Sequence, residues 1–252
     1  MDIIELRQDV WGREVVAGIS WDLLWLVAAA ALVAITSHLL VSAFLKKAVR
    51  PAPGGRRLTR HAPADRAFHW VMAASVFVLL ITGVLPILGI RFAWLTIHWV
   101  AGIVLTLAVA FHMVRSLFWQ DAKSIWVVPR DLGELRRHPP RAAKYTLAQK
   151  SMHLAMAVVV LVVIGTGILL MTVIDMPWWE RSNWLDESTL GWMFVLHGAS
   201  TLALVALIAL HVYFALRPEK LFYTRSMIKG WISENEHRAH HDPARWLPDE
   251  TA

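Results

Sequence analysis

The chain has 252 residues, 57% of them hydrophobic and 17% charged, with mean hydropathy +0.49, 12 His, 14 Trp and no Cys. Charged residues fall well short of the roughly 25% usual in soluble domains, so the composition points to a membrane protein. The absence of Cys excludes disulfides, thiolate-held iron–sulfur clusters, covalently attached c-type haem and Cys-zinc sites from this chain. Any redox metal here rests on nitrogen or oxygen ligands.

Apolar stretches long enough to cross a hydrocarbon core of about 30 Å fall at residues 22–45, 68–90, 93–115, 152–174 and 191–216. They read as five transmembrane helices, since none shows the alternation of a membrane strand. The first follows a segment containing Asp2, Glu5, Asp9 and Glu14 and carries its basic flank on the far side, so it is expected to stay as an anchor rather than to be cleaved. Pro51-Ala52-Pro53-Gly54-Gly55 has the composition of a flexible joint between that helix and the other four. The expected organisation is a segment 1–50 holding an outer stretch and an extra helix, a four-helix domain 51–216, and an inner tail 217–252.

Lys and Arg give the orientation. Twenty-one of the 25 lie in residues 46–66, 115–150 and 217–245, and only Arg7, Arg13, Arg91 and Arg181 lie on the opposite side, among several acids. The N-terminus is therefore expected outside, in the periplasm of a bacterial inner membrane, and the C-terminus in the cytoplasm. This alternation between loops is what insertion alone produces, so the basic charge calls for membrane lipid and not for a nucleic-acid partner. Trp178, Trp179, Trp184 and Trp192 form an outer aromatic belt.

Ionisable side chains in membrane helices are expensive and mark function by default. Seven histidines fall in or at the ends of the spans: His38, His69, His98, His112, His153, His197 and His211. His197 and His211 are 14 residues apart on the last helix. That spacing is about 21 Å of rise and returns to within roughly 40° of the same face. Two imidazoles facing one bundle interior, one near each membrane surface, suit two haems held by neutral histidine; hydrogen bonding between helices is the plainer alternative. Alternating helix direction offers His98 as the outer partner of His197 and His69 as the inner partner of His211. His112, also 14 residues after His98, is open as a rival partner for His211. His38 suits a hydrogen bond to a neighbouring helix, His153 an interfacial or pocket position, and His61 and His138 solvated loops. Gly83, Gly102, Gly165, Gly167 and Gly198 would let a porphyrin or a helix backbone approach closely.

Several stretches together resemble one family, the cytochrome b or gamma subunits of membrane-bound formate dehydrogenases, related to the cytochrome b subunits of nickel–iron hydrogenases. They are Asp65-Arg66-Ala67-Phe68-His69-Trp70, Ile97-His98-Trp99-Val100-Ala101-Gly102, Leu196-His197-Gly198-Ala199 and Leu210-His211-Val212-Tyr213. Lys144-Tyr145-Thr146-Leu147-Ala148-Gln149-Lys150 is similar to a quinone-site motif, with Thr146 and Ala148 standing where the family has Asn and Gly. Ser226-Met227-Ile228, Gly230, His240-His241 and Trp246 resemble the inner tail. The resemblance implies an all-α, four-helix dihaem cytochrome b bundle to which the first helix is an addition. It implies two haems b on His98/His197 and His69/His211, favouring His69 over His112, and a quinone near Tyr145, Thr146, Gln149 and the edge of His211. It further implies an iron–sulfur beta subunit and a molybdenum or tungsten catalytic alpha subunit as partners, with electrons crossing from periplasm to quinone. A hydrogenase-type or other molybdenum-enzyme anchor is an alternative, and a histidine-using metal or proton transporter is an alternative of a different class.

Overall fold

A computed structural model describes residues 2–45, 53–119, 124–135 and 141–248. Lys46, Lys47 and Arg50, the first half of the expected joint at 51–52, and His138 lie outside the described residues. The chain divides into two compact units, each gathering three stretches of sequence: 1–34, 74–106 and 156–208 in the first, 35–73, 107–155 and 209–252 in the second.

Five helices are long and apolar enough to cross a membrane: α1 (Leu23–Phe44), α2 (Pro63–Ile87), α3 (Trp94–Phe118), α4 (Leu147–Leu170), which runs on as a 3-10 turn to Val173, and α5 (Glu187–Leu216). A helix bonds its own backbone groups, which hydrocarbon requires. The chain is a multi-pass membrane protein. Three helices begin before their apolar spans because hydropathy does not register polar caps. Pro63 opens α2 at a position where no backbone N–H is needed, and the Asp65 carboxylate accepts from the Ala62 N–H at 3.3 Å. Thr146 and Gln149 cap α4 reciprocally, Gln149 N–H to Thr146 Oγ1 at 3.2 Å and Thr146 N–H to Gln149 Oε1 at 3.0 Å. Asp186 accepts from the Thr189 N–H at 2.9 Å ahead of α5. At the other end of α2, Gly89 turns left-handed (φ +83°) and Ile90 N–H reaches back to the Leu85 carbonyl at 3.0 Å, closing the helix.

In the first unit an antiparallel hairpin, β1 (Ile4–Gln8) and β2 (Glu14–Ile19), precedes α1. Its turn is built by the Asp9 carboxylate, which accepts from the N–H groups of Trp11 and Arg13, both at 2.8 Å. The hairpin lies against α5 at two glycines: a Cβ on Gly191 would stand 2.3 Å from the Val16 carbonyl oxygen, and one on Gly198 2.4 Å from Ile19 Cγ2. Ile19, Leu24 and Leu202 form the buried cluster that seats the start of α1.

In the second unit the segments outside the spans are folded. β3 (Arg57–Thr59) pairs with β4 (Trp231–Ser233), and α6 (Leu221–Lys229) and α7 (Glu234–His240) flank β4 over a core of Leu58, Phe222 and Ile232. The all-α expectation holds for the membrane part, and the two small sheets lie outside the spans. His38 on α1 bonds Tyr213 Oη on α5 at 2.7 Å, the interhelical role its isolation suggested.

Candidate functional site

The histidines of α2–α5 come together in pairs. In the first unit His98 on α3 and His197 on α5 face each other with ring centroids 6.4 Å apart. In the second unit His69 on α2 and His211 on α5 stand at 6.5 Å. His112 on α3 meets His153 on α4, at 6.0 Å, rather than His211. Two imidazoles that held one metal between them, with bonds of about 2.0–2.1 Å, would have centroids about 6.3 Å apart once the ring radius is added.

The pair in the first unit is held from behind. Thr82 on α2 gives its hydroxyl proton to the Val78 carbonyl at 2.7 Å, so at 2.8 Å from His98 Nδ1 its oxygen is an acceptor. Thr166 on α4 repeats this, donating to Val162 O at 2.7 Å and accepting from His197 Nδ1 at 2.9 Å. With the proton on Nδ1, each ring keeps the Nε2 lone pair free for a metal, and such an outer hydrogen bond is what sets a metal ligand's tautomer. The residues after the threonines, Gly83 and Gly167, leave space at the rings: a Cβ there would be 3.6 Å from His98 Cε1 and 3.4 Å from His197 Cε1.

Hydropathy and histidine spacing do not single out these threonines, yet the sequence carries a signal for them. Thr82-Gly83 follows His69-x-x-Met72-Ala73 by the same interval at which Thr166-Gly167 follows His153-x-x-Met156-Ala157. With His98/His112 on α3 and His197/His211 on α5 both 14 residues apart, the helix pairs α2–α3 and α4–α5 read as two copies of one pattern. The other proposed small residues behave differently, since Gly198 admits the hairpin and nothing lies within 4 Å of a Cβ on Gly165.

Among the described residues no three His, Asp or Glu side chains gather around a point where they could hold an ion. Two opposed imidazoles complete a coordination sphere only for a metal that brings its other ligands with it, and haem iron brings four nitrogens. At His98/His197 the facing rings, the preset Nε2 lone pairs and the glycines therefore fit haem, and His69/His211 shares the facing rings. A model of the prokaryotic cytochrome b561 family matches residues 60–230. The chain belongs to that family. It is also similar to the cytochrome b556 subunit of formate dehydrogenase from Haemophilus influenzae, 25% identical over 214 residues that cover 77% of this chain and 84% of that protein. The resemblance to formate dehydrogenase-type cytochromes b thus stands, and the protein is a membrane cytochrome b with an electron-transfer role and haem b as its family's cofactor.

In the second unit the cytochrome's polar residues outside the spans are organised around Arg60. This buried guanidinium donates to the Lys144 carbonyl at 2.7 Å and to His241 Nε2 at 3.0 Å, and lies over the rings of Tyr223 and Tyr145 at 4.6 and 5.5 Å. His241, fully buried, gives its Nδ1 proton to the Ala143 carbonyl at 2.6 Å. Burial and the neighbouring Arg60 charge push its pKa down to about 3. His61, expected in solvent, is half-buried beside Tyr145, with ring centroids 6.3 Å apart. Burial, then the charges of Arg60 and Lys144, take it to about 2, so it is a neutral imidazole. Tyr145 is raised by burial, which the Arg60 charge partly offsets. Of the residues matched to the quinone motif, Thr146 and Gln149 bond one another through the α4 cap, and both stay half-buried. Below them the buried Asp131 carboxylate binds Lys150 at 2.8 Å and Arg245 at 2.5 Å, tying α4 to the segment after α7.

Proposed function

We propose that the cytochrome is the dihaem membrane subunit of a formate dehydrogenase-like complex, taking electrons from a periplasmic iron–sulfur beta subunit and delivering them to a quinone on the inner side. The observation that carries the reading is the matched spacing of His98/His197 and His69/His211, 6.4 and 6.5 Å between ring centroids. His98 and His197 would hold one haem b, His69 and His211 the other. Bound haem supplies one-electron redox chemistry; the chain supplies the rest. Thr82 and Thr166 hold the imidazole protons on Nδ1, and apolar helices keep water away from the rings. The 14-residue spacing on α5 separates the two ligands by about 21 Å along that helix, a span across which each electron moves with or against about 2.3 kcal/mol per 100 mV of membrane potential.

Quinone is assigned to the inner end of α4, at Tyr145, Thr146 and Gln149 and the edge of His211. Supporting this are a half-buried tyrosine under a buried guanidinium and the Gln149 amide N–H2, which the cap leaves available as a donor while its oxygen bonds Thr146. A molybdenum or tungsten alpha subunit completes the complex, with the N-terminus periplasmic, the C-terminus cytoplasmic and the membrane the bacterial inner one, as the Lys/Arg distribution supports. Residues 51–216 then form the haem-binding domain and 1–50 and 217–252 its flanking additions.

The test is a reduced-minus-oxidised spectrum together with haem extraction from the purified protein. Two haems b per chain, with b-type bands on reduction, are expected. One haem, or none, overturns the dihaem reading, and Gln149→Ala leaving quinone reduction and inhibitor affinity intact overturns the quinone assignment.

A further inference from the structure

The haem reading uses four of the six histidines in α2–α5 and leaves His112 and His153 facing each other. Two ionisable rings at membrane depth, in direct register and unassigned, need a role. In the two-copy pattern they are the counterparts of His211 and His69, yet their surroundings differ from those of the clamped outer pair. His112 Nδ1 is buried without a hydrogen-bond partner, one face of its ring is covered by Phe68 at 4.4 Å, and no threonine fixes its tautomer. His69 and His211 likewise lack a threonine, so what sets His112 apart is its buried, unpartnered Nδ1, which carries no locked proton. A proton carrier requires an unlocked one, because it takes a proton on one ring nitrogen and releases it from the other.

We propose that His112 and His153 are a proton relay serving the quinone site, loaded from the inner surface by Asp65; this rests on the quinone-reacting function proposed above. The entry is built at the start of α2. Asp65 and Phe68 are three residues apart and so share a helix face, and that face meets α3 at successive turns: Phe68 stacks on His112, and the Asp65 carboxylate binds Arg115 Nε at 2.8 Å. The Asp65 and Arg115 side chains are 13% and 21% exposed, which puts a carboxylate within reach of inner water and its charge close enough to act on His112. The transfer step is the His112–His153 contact. Ring centroids 6.0 Å apart and planes at 81° are too close for a quinone ring between them and suit one bridging water. The exit is on α4, where His153 lies four residues after Gln149, on the same face and one turn deeper.

In quinone reduction two electrons arrive from the haem carriers of the proposed function and two protons from the inner water. For each proton an N–H bond of protonated His153 breaks as an O–H bond forms on a quinone oxygen. His153 then takes a proton from His112, and His112 takes one from water by way of Asp65. Oxidation of a quinol runs the same path outward. The charged groups beside the relay are Asp65 from α2 and Arg115 on α3 itself.

The reverse direction gives a test that needs no partner subunit. Purified full-length cytochrome with its haems is mixed with menadiol, and haem reduction is followed by stopped-flow absorbance across pH, in H2O and in D2O. His112→Gln and His153→Gln are expected to keep two haems and their spectra and to slow reduction at least tenfold, within the range for losing a positioned acid–base group. Added imidazole should restore the rate, the double variant should be no slower than the slower single one, and Asp65→Asn should be rescued by acetate. Variants that retain haem but reduce at the wild-type rate with an unchanged pH profile overturn the relay. So does loss of a haem from either variant, since the pair would then be axial or structural. If menadiol reduces no haem in the wild-type protein, the quinone reading itself fails, and that outcome is distinguishable because it precedes any variant.

Discussion

In the unit of His98 and His197 each imidazole is clamped at Nδ1 by a threonine from the preceding helix, whereas in the unit of His69 and His211 no described side chain bonds either ring. The first unit therefore sets its imidazole tautomers by itself. The second makes no such bond to its pair, and spends its polar groups on Arg60, Tyr145 and the α4 cap. A site that only passes electrons benefits from rigidity. A site that also meets a substrate and protons needs exchangeable hydrogen bonds, and that division of labour is what the proposed function would assign to the two halves of the molecule.

The most severe way to break the comparison is to remove a ligand. His98→Ala or His197→Ala is expected to lower the haem content from two per chain to one, and His69→Ala or His211→Ala to do the same while removing the other spectral component. His112→Ala should leave two. If His112→Ala loses a haem and His69→Ala does not, the inner pairing is with His112, and the contrast between locked and unlocked pairs has been drawn at the wrong residues.

Removing the clamps asks whether the difference between the units is energetic. Thr166→Val and Thr82→Val keep the side-chain shape and delete the acceptor, and loss of such a partner costs about 10–100-fold in metal affinity. Haem should therefore leave the His98/His197 site faster by that factor, read as transfer to an apoprotein acceptor, while Thr→Ser at either position retains it. The His69/His211 haem should be indifferent to both. Equal loss from both sites would mean that the threonines act through the helices rather than through the rings.

A smaller effect is expected where the hairpin meets α5. Gly191→Ala places a methyl 2.3 Å from a backbone oxygen of Val16, which cannot be relieved by turning a side chain. Overpacking of this kind costs about 1–3 kcal/mol. The melting temperature followed on the His98/His197 haem should fall. Gly165→Ala, with nothing within 4 Å, should leave it unchanged.

Much of the fold is legible in the sequence, for a physical reason. A membrane span must be apolar along about 20 residues and must satisfy its backbone internally, so length and hydropathy identify it. Histidine in such a span is conspicuous because it is costly, so the four ligand candidates stand out from residue type and spacing, with His112 open as a rival to His69 until the resemblance is added. What hydropathy does not register are the groups whose cost is hidden. Thr82 and Thr166 satisfy their hydroxyls on carbonyls of the preceding turn and look like ordinary β-branched residues, so only the repeated Thr-Gly interval can reveal them. His61 and Arg60 sit in a stretch that reads as a polar loop because burial there comes from residues about 80 to 180 positions away in sequence, Tyr145 and Lys144 on one side and His241 on the other. The hairpin at residues 4–19 is likewise hidden, since its packing partners are two glycines, one of which reads as a porphyrin-facing position and the other as nothing at all.

The gentlest discrimination between the units is by pH, because their polar anchors titrate differently. In the cap formed by β3, β4, α6 and α7, His241 has a folded pKa of about 3 against 6.5 when exposed. The unfolded cap binds the proton first, so stability from this residue is complete above pH 6.5 and declines as pH falls toward 3. At Asp131 burial raises the carboxyl, but hydrogen bonds from Lys150, the Val128 N–H and Arg245 outweigh it and hold the pKa at about 2 against 3.8. Its contribution is complete above pH 3.8 and is lost only toward pH 2. At the β1–β2 hairpin, Asp9 is also below 3.8, the hydrogen bonds from Arg13 and Trp11 overcoming the opposing effect of burial. Between pH 8 and pH 5, therefore, amide exchange corrected for its intrinsic pH dependence should rise in Trp231–Ser233 and α6 and stay constant in Ile4–Ile19. His241→Gln, which accepts from Arg60 without titrating, should reduce this response and leave the share of His61, whose folded pKa is likewise lowered, to about 2. If the hairpin loosens in parallel with the cap, the pH sensitivity belongs to the whole fold and His241 is not its source.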